Sequence, residues 1–148
     1  MKNLNKQGEF KILRSVAAFI IPIIFLYGIY IVLNGHLSPG GGFAGGVIIG
    51  VGFILFNIAF GSKISDKFFT FRGCVITMSV SLIIYLALKG AVFFLGANGY
   101  ESVIPLGSPG NILSAGLILP VNICIALVVS DMIYLLYSLF SHWGGRID

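Results

Sequence analysis

Four long runs of apolar residues limit the folds that this sequence can adopt. They extend over about residues 15–33, 43–61, 73–96 and 112–140. Roughly 20 apolar residues are enough to cross about 30 Å of hydrocarbon as an α-helix. Because lipid offers no hydrogen bonds to an exposed backbone, each run is expected to be helical. The sequence therefore predicts an all-α integral membrane protein, a bundle of four transmembrane helices that forms a single membrane domain over residues 1–148.

The small number of charged residues also indicates that lipid, and not water, surrounds most of this protein. Only 9% of the 148 residues are charged and 57% are hydrophobic, whereas soluble domains carry about 25% charged residues. The net charge is +4, and the basic residues lie at the ends of the apolar runs. Basic residues in such positions are typical of the signals that orient a protein in the membrane, and not of a nucleic-acid-binding patch. Cys74 and Cys124 have no CxxC spacing and no neighbouring histidine, so we expect no metal site and no cofactor.

The basic residues also predict the orientation in the membrane. They lie before the first run, between the second and third runs, and after the fourth run: Lys2, Lys6, Lys11, Arg14, Lys63, Lys67, Arg72 and Arg146. The loops over residues 34–42 and 97–111 contain no lysine or arginine. Because basic loops stay on the cytoplasmic side, both termini are predicted to be cytoplasmic.

The loop between the first two runs is unusually rich in glycine. Pro39 cannot continue a helix, and the glycines at positions 40–42 can adopt backbone angles that are closed to other residues, so a tight turn is predicted. Gly46-x-x-x-Gly50 is a pattern of small residues that lets a neighbouring helix approach closely. A phosphate-binding loop is disfavoured because no strand precedes it and no GxxxxGK[ST] motif is present. His36 is a candidate proton-handling group or metal ligand, although a structural turn docked on partner subunits is the preferred interpretation.

The same loop carries a family resemblance. Its residues read Gly35-His36-x-x-Pro39-Gly40-Gly41-Gly42-Phe43-x-Gly45-Gly46. This run resembles the hallmark of the MnhB/MrpB-type subunits of multisubunit Mrp-type Na⁺/H⁺ antiporters, a module shared with membrane-bound hydrogenase and sulfane-reductase complexes. A weaker similarity, to the final helix of the family, covers residues 108–123 and includes Pro120. Members often carry a basic residue near position 127, whereas residues 127–129 are apolar here and Asp131 follows.

The resemblance implies a subunit of a large prokaryotic inner-membrane complex that couples sodium and proton movement. Such a subunit packs beside larger antiporter-like subunits, and a part in the sodium route is a further implication. The expected partners are therefore other membrane subunits and the lipid bilayer, without nucleic acid. The expected location is the prokaryotic cell membrane, and Na⁺ and H⁺ are the ions transported.

Lys89 and Asp131 are the ionisable residues, apart from tyrosines, well inside the predicted spans. A charge at the bilayer centre costs roughly 2.5–3.5 kcal/mol on insertion scales, so both residues join His36 as candidates for an ion pathway. Counting from the predicted helix ends places Lys89 about 10 Å from the outer face and Asp131 about 14 Å from the inner face. A direct pair would therefore need a long reach or a tilted helix. Lys89 can snorkel to the interface, but Asp131 is too short to do so and is the stronger candidate.

Several functions agree with this pattern, and a stand-alone enzyme is not among them. The sequence contains no recognisable nucleophile with a base, no pair of catalytic acids and no cofactor fingerprint. The leading hypothesis is a small, non-catalytic subunit of an Mrp-type antiporter that supports assembly and lines part of the sodium path. The alternatives are the equivalent subunit of a redox-driven complex of the hydrogenase type, a purely structural scaffold and a self-contained channel. Asn57 and Asn122 within the apolar runs are expected to form hydrogen bonds between helices.

Overall fold

Helices account for nearly all of the chain that the structure describes. The computed structural model describes residues 2–35, 40–98 and 116–144. In chain order, the helices are α1 (Lys2–Leu33), α2 (Gly41–Phe60), α3 (Ser62–Phe68), α4 (Phe71–Ala97) and α5 (Ile118–Gly144). The α1 helix is longer than the predicted span 15–33, because Lys11 and Arg14 end the apolar run but not the helix. The α5 helix continues past the predicted end at residue 140 to Gly144, and residues 112–115 of the predicted span lie outside the described residues.

Four segments of these helices are long and apolar enough to cross a membrane. They are Phe10–Leu33, Gly41–Phe60, Ser62–Ala97 and Ile118–Ser141. This confirms the prediction of four spanning segments in an all-α chain, and the chain is a multi-pass membrane protein. The third segment contains α3 and α4, which are separated by a short break at residues 69–70.

The α2 helix lies at the centre of the packing. It contacts α1 on one side and α5 on the other, and α4 packs against α5. Direct contact between α1 and α5 is much smaller, so the helices follow one another in the order α1, α2, α5, α4. Arg14 of α1 contacts Ala59 of α2, and Ser65 of α3 contacts Tyr134 of α5. These contacts place the N-terminal half of α1 and the C-terminal half of α5 at the same end of the bundle.

Glycines allow α2 to approach α5 closely. A Cβ atom added at Gly46 would lie 2.7 Å from the carbonyl oxygen of Ala126, and one at Gly50 would lie 3.1 Å from Cβ of Ile133. The predicted Gly46-x-x-x-Gly50 contact is thereby confirmed. Gly42 extends the same stripe one turn earlier, since a Cβ there would overlap the backbone of Asn122.

The opposite face of α2 uses glycines in the same way against α1. A Cβ at Gly45 would overlap the side chain of Val32, and one at Gly52 would lie 2.7 Å from the ring of Phe25. Gly28 of α1 packs against Ile49 of α2, since a Cβ added at Gly28 would lie 2.7 Å from Cγ1 of Ile49. Close approach of small residues is the usual means of holding helices together in lipid, because lipid supplies little hydrophobic drive for their association.

A buried polar junction joins three helices near the end of the bundle that carries α3. Tyr134 of α5 is 1% exposed, and its hydroxyl oxygen lies 2.9 Å from the Oγ of Ser65 in α3. Asn57 of α2 donates a hydrogen bond to the same hydroxyl at 3.2 Å. The predicted hydrogen bond between helices is therefore confirmed for Asn57, and its partner is Tyr134.

Arg14 contributes to the fold in addition to its predicted role in orientation. Its Nε donates a hydrogen bond of 3.1 Å to the carbonyl oxygen of Ala59, in the last turn of α2. The final carbonyl groups of a helix have no partner within that helix and carry partial negative charge. A guanidinium group therefore stabilises this end of α2 and fastens it to α1.

We expect Arg14→Gln to lower the free energy of unfolding by about 1 kcal/mol, because the charged hydrogen bond to Ala59 is lost. Thermal unfolding of the purified chain in mild detergent measures this loss. The control is Lys11→Gln, which removes a charge from an exposed residue of the same helix and should change the stability very little. Equal losses in both variants would contradict the assigned hydrogen bond.

Candidate functional site

A groove lies between α1 and α5, and residues of α2 also line it. Its volume is about 280 Å³, and residues from all three helices line it. Most of the lining is aliphatic or aromatic, with Ile29 and Val32 from α1 and Phe53 from α2 as examples. The polar lining residues are Ser130 and Asp131 of α5. The site thus combines apolar walls with one acidic group.

The Asp131 carboxylate is buried, and one of its oxygen atoms lacks a hydrogen-bond partner in the part of the chain that the structure describes. The residue is 7% exposed and lies roughly midway between Ile118 and Ser141, the ends of its candidate span. Among the residues that the structure describes, its Oδ2 is the buried side-chain atom with no hydrogen-bond partner. Because an unpaired buried charge is strongly unfavourable, this oxygen calls for a proton or for a positive partner from outside the described residues.

Ser130, beside Asp131, is engaged within its own helix. It is 2% exposed, and its Oγ donates a hydrogen bond of 3.0 Å to the carbonyl oxygen of Leu127. Its hydroxyl hydrogen is therefore not available to the neighbouring carboxylate. Ser130 was not among the residues predicted from the sequence, although a serine next to an aspartate inside an apolar run was a usable signal.

Lys89 does not join Asp131 in the structure. Lys89 lies exposed on α4, whereas Asp131 is buried and its Oδ2 has no hydrogen-bond partner among the described residues. The exposed position agrees with snorkelling towards the interface. Of the two ionisable residues that the sequence singled out, Lys89 thus lies on the surface of α4, and Asp131 lies in the groove.

The glycine loop reaches α5 at Asn122. A Cβ at Gly35 would lie 2.5 Å from Nδ2 of Asn122 and 2.6 Å from Cα of Gly41. The C-terminal end of α1 and the N-terminal end of α2 therefore both pack against the side chain of Asn122, close to one another, as expected for a tight turn. Asn122 follows Pro120, which occupies the first turn of α5, a position where proline is tolerated.

Two of the three glycines at positions 40–42 adopt the special backbone conformation that the sequence predicts, whereas Gly42 is an ordinary helical residue of α2. Gly40 and Gly41 have φ angles of 119° and 44°, which favour glycine over other residues. Phe43 follows in the first turn of α2 and is 63% exposed, so it faces the surroundings of the bundle. His36 and Pro39 lie outside the described residues, and the predictions for them stand as predictions.

The described side chains also limit the chemistry of the site. Among residues 2–35, 40–98 and 116–144, no group of three or more His, Cys, Asp or Glu side chains is placed to hold a metal ion. Cys74 and Cys124 are both buried and free. The groove itself offers one carboxylate in apolar surroundings, an arrangement that can bind a proton or a positively charged group.

Known proteins resemble this chain over most of its length. Residues 12–135 match the family described as "Domain related to MnhB subunit of Na+/H+ antiporter". An uncharacterized protein of Methanocaldococcus jannaschii is 35% identical over 132 residues, which cover 82% of this chain and 49% of that protein. The "Putative antiporter subunit mnhB2" of Staphylococcus aureus strain Newman is 43% identical over 49 residues, 33% of this chain and 35% of that protein. The aligned parts thus span less than half of the length of either relative.

Proposed function

This chain belongs to the family of domains related to the MnhB subunit of Na⁺/H⁺ antiporters, and on this premise we propose that it is a small membrane subunit of a multisubunit Mrp-type antiporter complex. The observation that carries the proposal is the family match over residues 12–135, which includes most of the four candidate spans. We further propose a location in the prokaryotic cell membrane with both termini cytoplasmic, as the distribution of basic residues favours.

Two features of the structure support a role as one subunit among several. Large apolar side chains are exposed along every long helix, including Phe19 of α1, Ile83 and Phe93 of α4, and Phe140 of α5. Such surfaces suit contact with both lipid and neighbouring subunits. The buried Asp131 has an oxygen that the described residues leave unpaired, and an ionisable group at this depth is a candidate for function.

Within such a complex, the chain supports assembly and contributes Asp131 to the polar interior that sodium ions and protons cross. Lys89 and His36 are further candidates for that pathway. We expect no catalytic activity from the chain alone and no cofactor, with Na⁺ and H⁺ as the ions that the whole complex transports.

Isolation of the complex from native membranes tests the proposed function. The tagged chain is extracted in mild detergent, and the proteins that accompany it are identified by mass spectrometry. We expect large antiporter-like membrane subunits, because a bundle of four spans encloses too little volume for a complete transport path. We also expect deletion of the chain to abolish sodium-dependent proton movement in inverted membrane vesicles, and the restored gene to recover it.

Two other outcomes would change the assignment. Iron–sulfur or hydrogenase subunits among the accompanying proteins would identify the redox-driven type of complex. Recovery of the chain alone, as a stable homo-oligomer that conducts ions after reconstitution, would contradict the proposal and favour an independent channel.

A further inference from the structure

The groove at Asp131 is open to the outside of the chain. Ile29, Ile123 and Leu127 line it and are also exposed, and Leu127 is 41% exposed. Asp131 lies one helical turn further along α5, and no side chain or backbone group in the described part of the chain pairs with its Oδ2. A molecule that enters from the side can therefore contact the apolar walls first and the carboxylate at the inner end.

Two simple occupants fit this groove poorly. A lipid acyl chain matches the apolar walls but leaves the carboxylate without a partner, which is unfavourable in a medium of low polarity. A bare hard cation needs about six oxygen ligands, whereas the side chains described around the groove offer only the Asp131 carboxylate and the Ser130 hydroxyl. Neither occupant satisfies the walls and the acid together.

A long basic side chain satisfies both parts of the groove. The aliphatic stem of lysine or arginine packs along apolar surface while its head carries the charge. The head donates hydrogen bonds that an unpaired carboxylate oxygen can accept. Asp131 lies four residues beyond Leu127, a rise of about 6 Å along the helix axis, which a four-carbon stem can bridge.

We propose that the groove between α1 and α5 receives a lysine or arginine side chain from a transmembrane helix of a partner subunit, which pairs with Asp131. The inference rests on the proposed function, since it requires another membrane subunit. Lys89 of the same chain does not fill this role, since it lies exposed on α4 and Oδ2 has no partner within residues 2–35, 40–98 and 116–144. The pair makes the groove a specific contact between subunits, because an uncharged helix in the same place would leave the acid buried alone.

Photo-crosslinking in the intact complex tests the contact. A photoreactive amino acid is placed at Leu127, with Asp131 unchanged, and the adduct is mapped by mass spectrometry. We expect the adduct on one transmembrane helix of another subunit, within two turns of a lysine or arginine. The matched control is Ile83, which is 66% exposed on α4 and lies outside the groove, so that its adducts should fall elsewhere.

Charge exchange then tests the pair itself. Asp131→Asn should lower the recovery of the crosslinked partner about tenfold, because one member of a buried pair is lost, whereas Asp131→Glu should retain most of it. Asp131→Lys should behave like Asp131→Asn until the basic residue of the partner is changed to aspartate, which should restore recovery. Ser79→Ala on the exposed face of α4 serves as the control and should leave recovery unchanged.

Several results would overturn the inference. An adduct from Leu127 on lipid, on a second copy of this chain or on a helix without a basic residue would do so, as would normal recovery and transport with Asp131→Asn. In those cases the antiporter subunits still accompany the chain, and its assignment as a subunit of the complex is unaffected. Normal transport with Asp131→Asn would also contradict the proposed place of Asp131 in the ion pathway. If no membrane protein accompanies the unmodified chain, the proposed function fails and the inference fails with it.

Discussion

Replacement of Gly46 by leucine should prevent α2 and α5 from packing together and should abolish the stable fold. Even the first added atom, a Cβ at position 46, would lie 2.7 Å from the carbonyl oxygen and 3.0 Å from the Cα of Ala126. Both are backbone atoms of a helix, so no side-chain rotation can relieve the overlap. Overpacking by a few atoms already costs about 1–3 kcal/mol, and we expect a loss of at least about 3 kcal/mol for leucine.

The measurement is the stability of the purified chain in detergent, followed by its yield from membranes. Gly90→Leu on α4 is the matched control, because nothing lies within 4 Å of a Cβ added there. That variant should be as stable as the original chain. Gly46→Ala should fall between the two, since its single added carbon already overlaps Ala126. Equal stability of Gly46→Leu and Gly90→Leu would contradict the close approach of α2 to α5.

Removal of the Tyr134 side chain should produce the second large loss. Tyr134 is the largest of the fully buried side chains described, and its ring centre lies 5.6 Å from that of Phe69 and 6.2 Å from that of Phe53. Truncation of a large buried aromatic residue to alanine costs about 3–5 kcal/mol, because it removes packing and leaves a cavity. We therefore expect Tyr134→Ala to lower the free energy of unfolding by about 4 kcal/mol.

A second variant separates the ring from the hydroxyl group. Tyr134→Phe keeps the ring but leaves the buried Ser65 hydroxyl and the Asn57 amide without this partner, and such a loss costs about 1–3 kcal/mol. Unfolding in detergent measures both variants, with Tyr27→Ala as the control because Tyr27 is 55% exposed on α1. A Tyr134→Ala variant as stable as the control would show that the junction contributes nothing to the fold.

Local features of the sequence were sufficient to predict the four long helices, although the short helix α3 (Ser62–Phe68) lies in a segment that was predicted to be a loop. The sequence contains four apolar runs, and each is long enough to span the membrane. The turn at Gly40 and Gly41 was predicted from the glycines beside Pro39. The close contact at Gly46 and Gly50 was also predictable, because small residues four apart lie on one face of a helix. Each of these properties depends on residues that are near one another along the chain.

The candidate site was predicted only in part. Asp131 was identified because a charge inside an apolar run is unfavourable wherever the surrounding helices lie. The groove around it could not be predicted, since Ile29, Phe53 and Leu127 come from three different helices. The separation of Lys89 from Asp131 likewise depends on how α4 is turned against α5.

The sequence by itself determined that this protein crosses the membrane as helices, where its tight turn lies and which glycines permit close packing. Only the tertiary structure decided which helices become neighbours, and with them the groove at Asp131 and the junction at Tyr134. The physical reason is the range of the interactions. Helix formation depends on hydrogen bonds four residues apart, whereas Asn57 and Tyr134 are 77 residues apart in sequence and meet only after α2 and α5 have packed together.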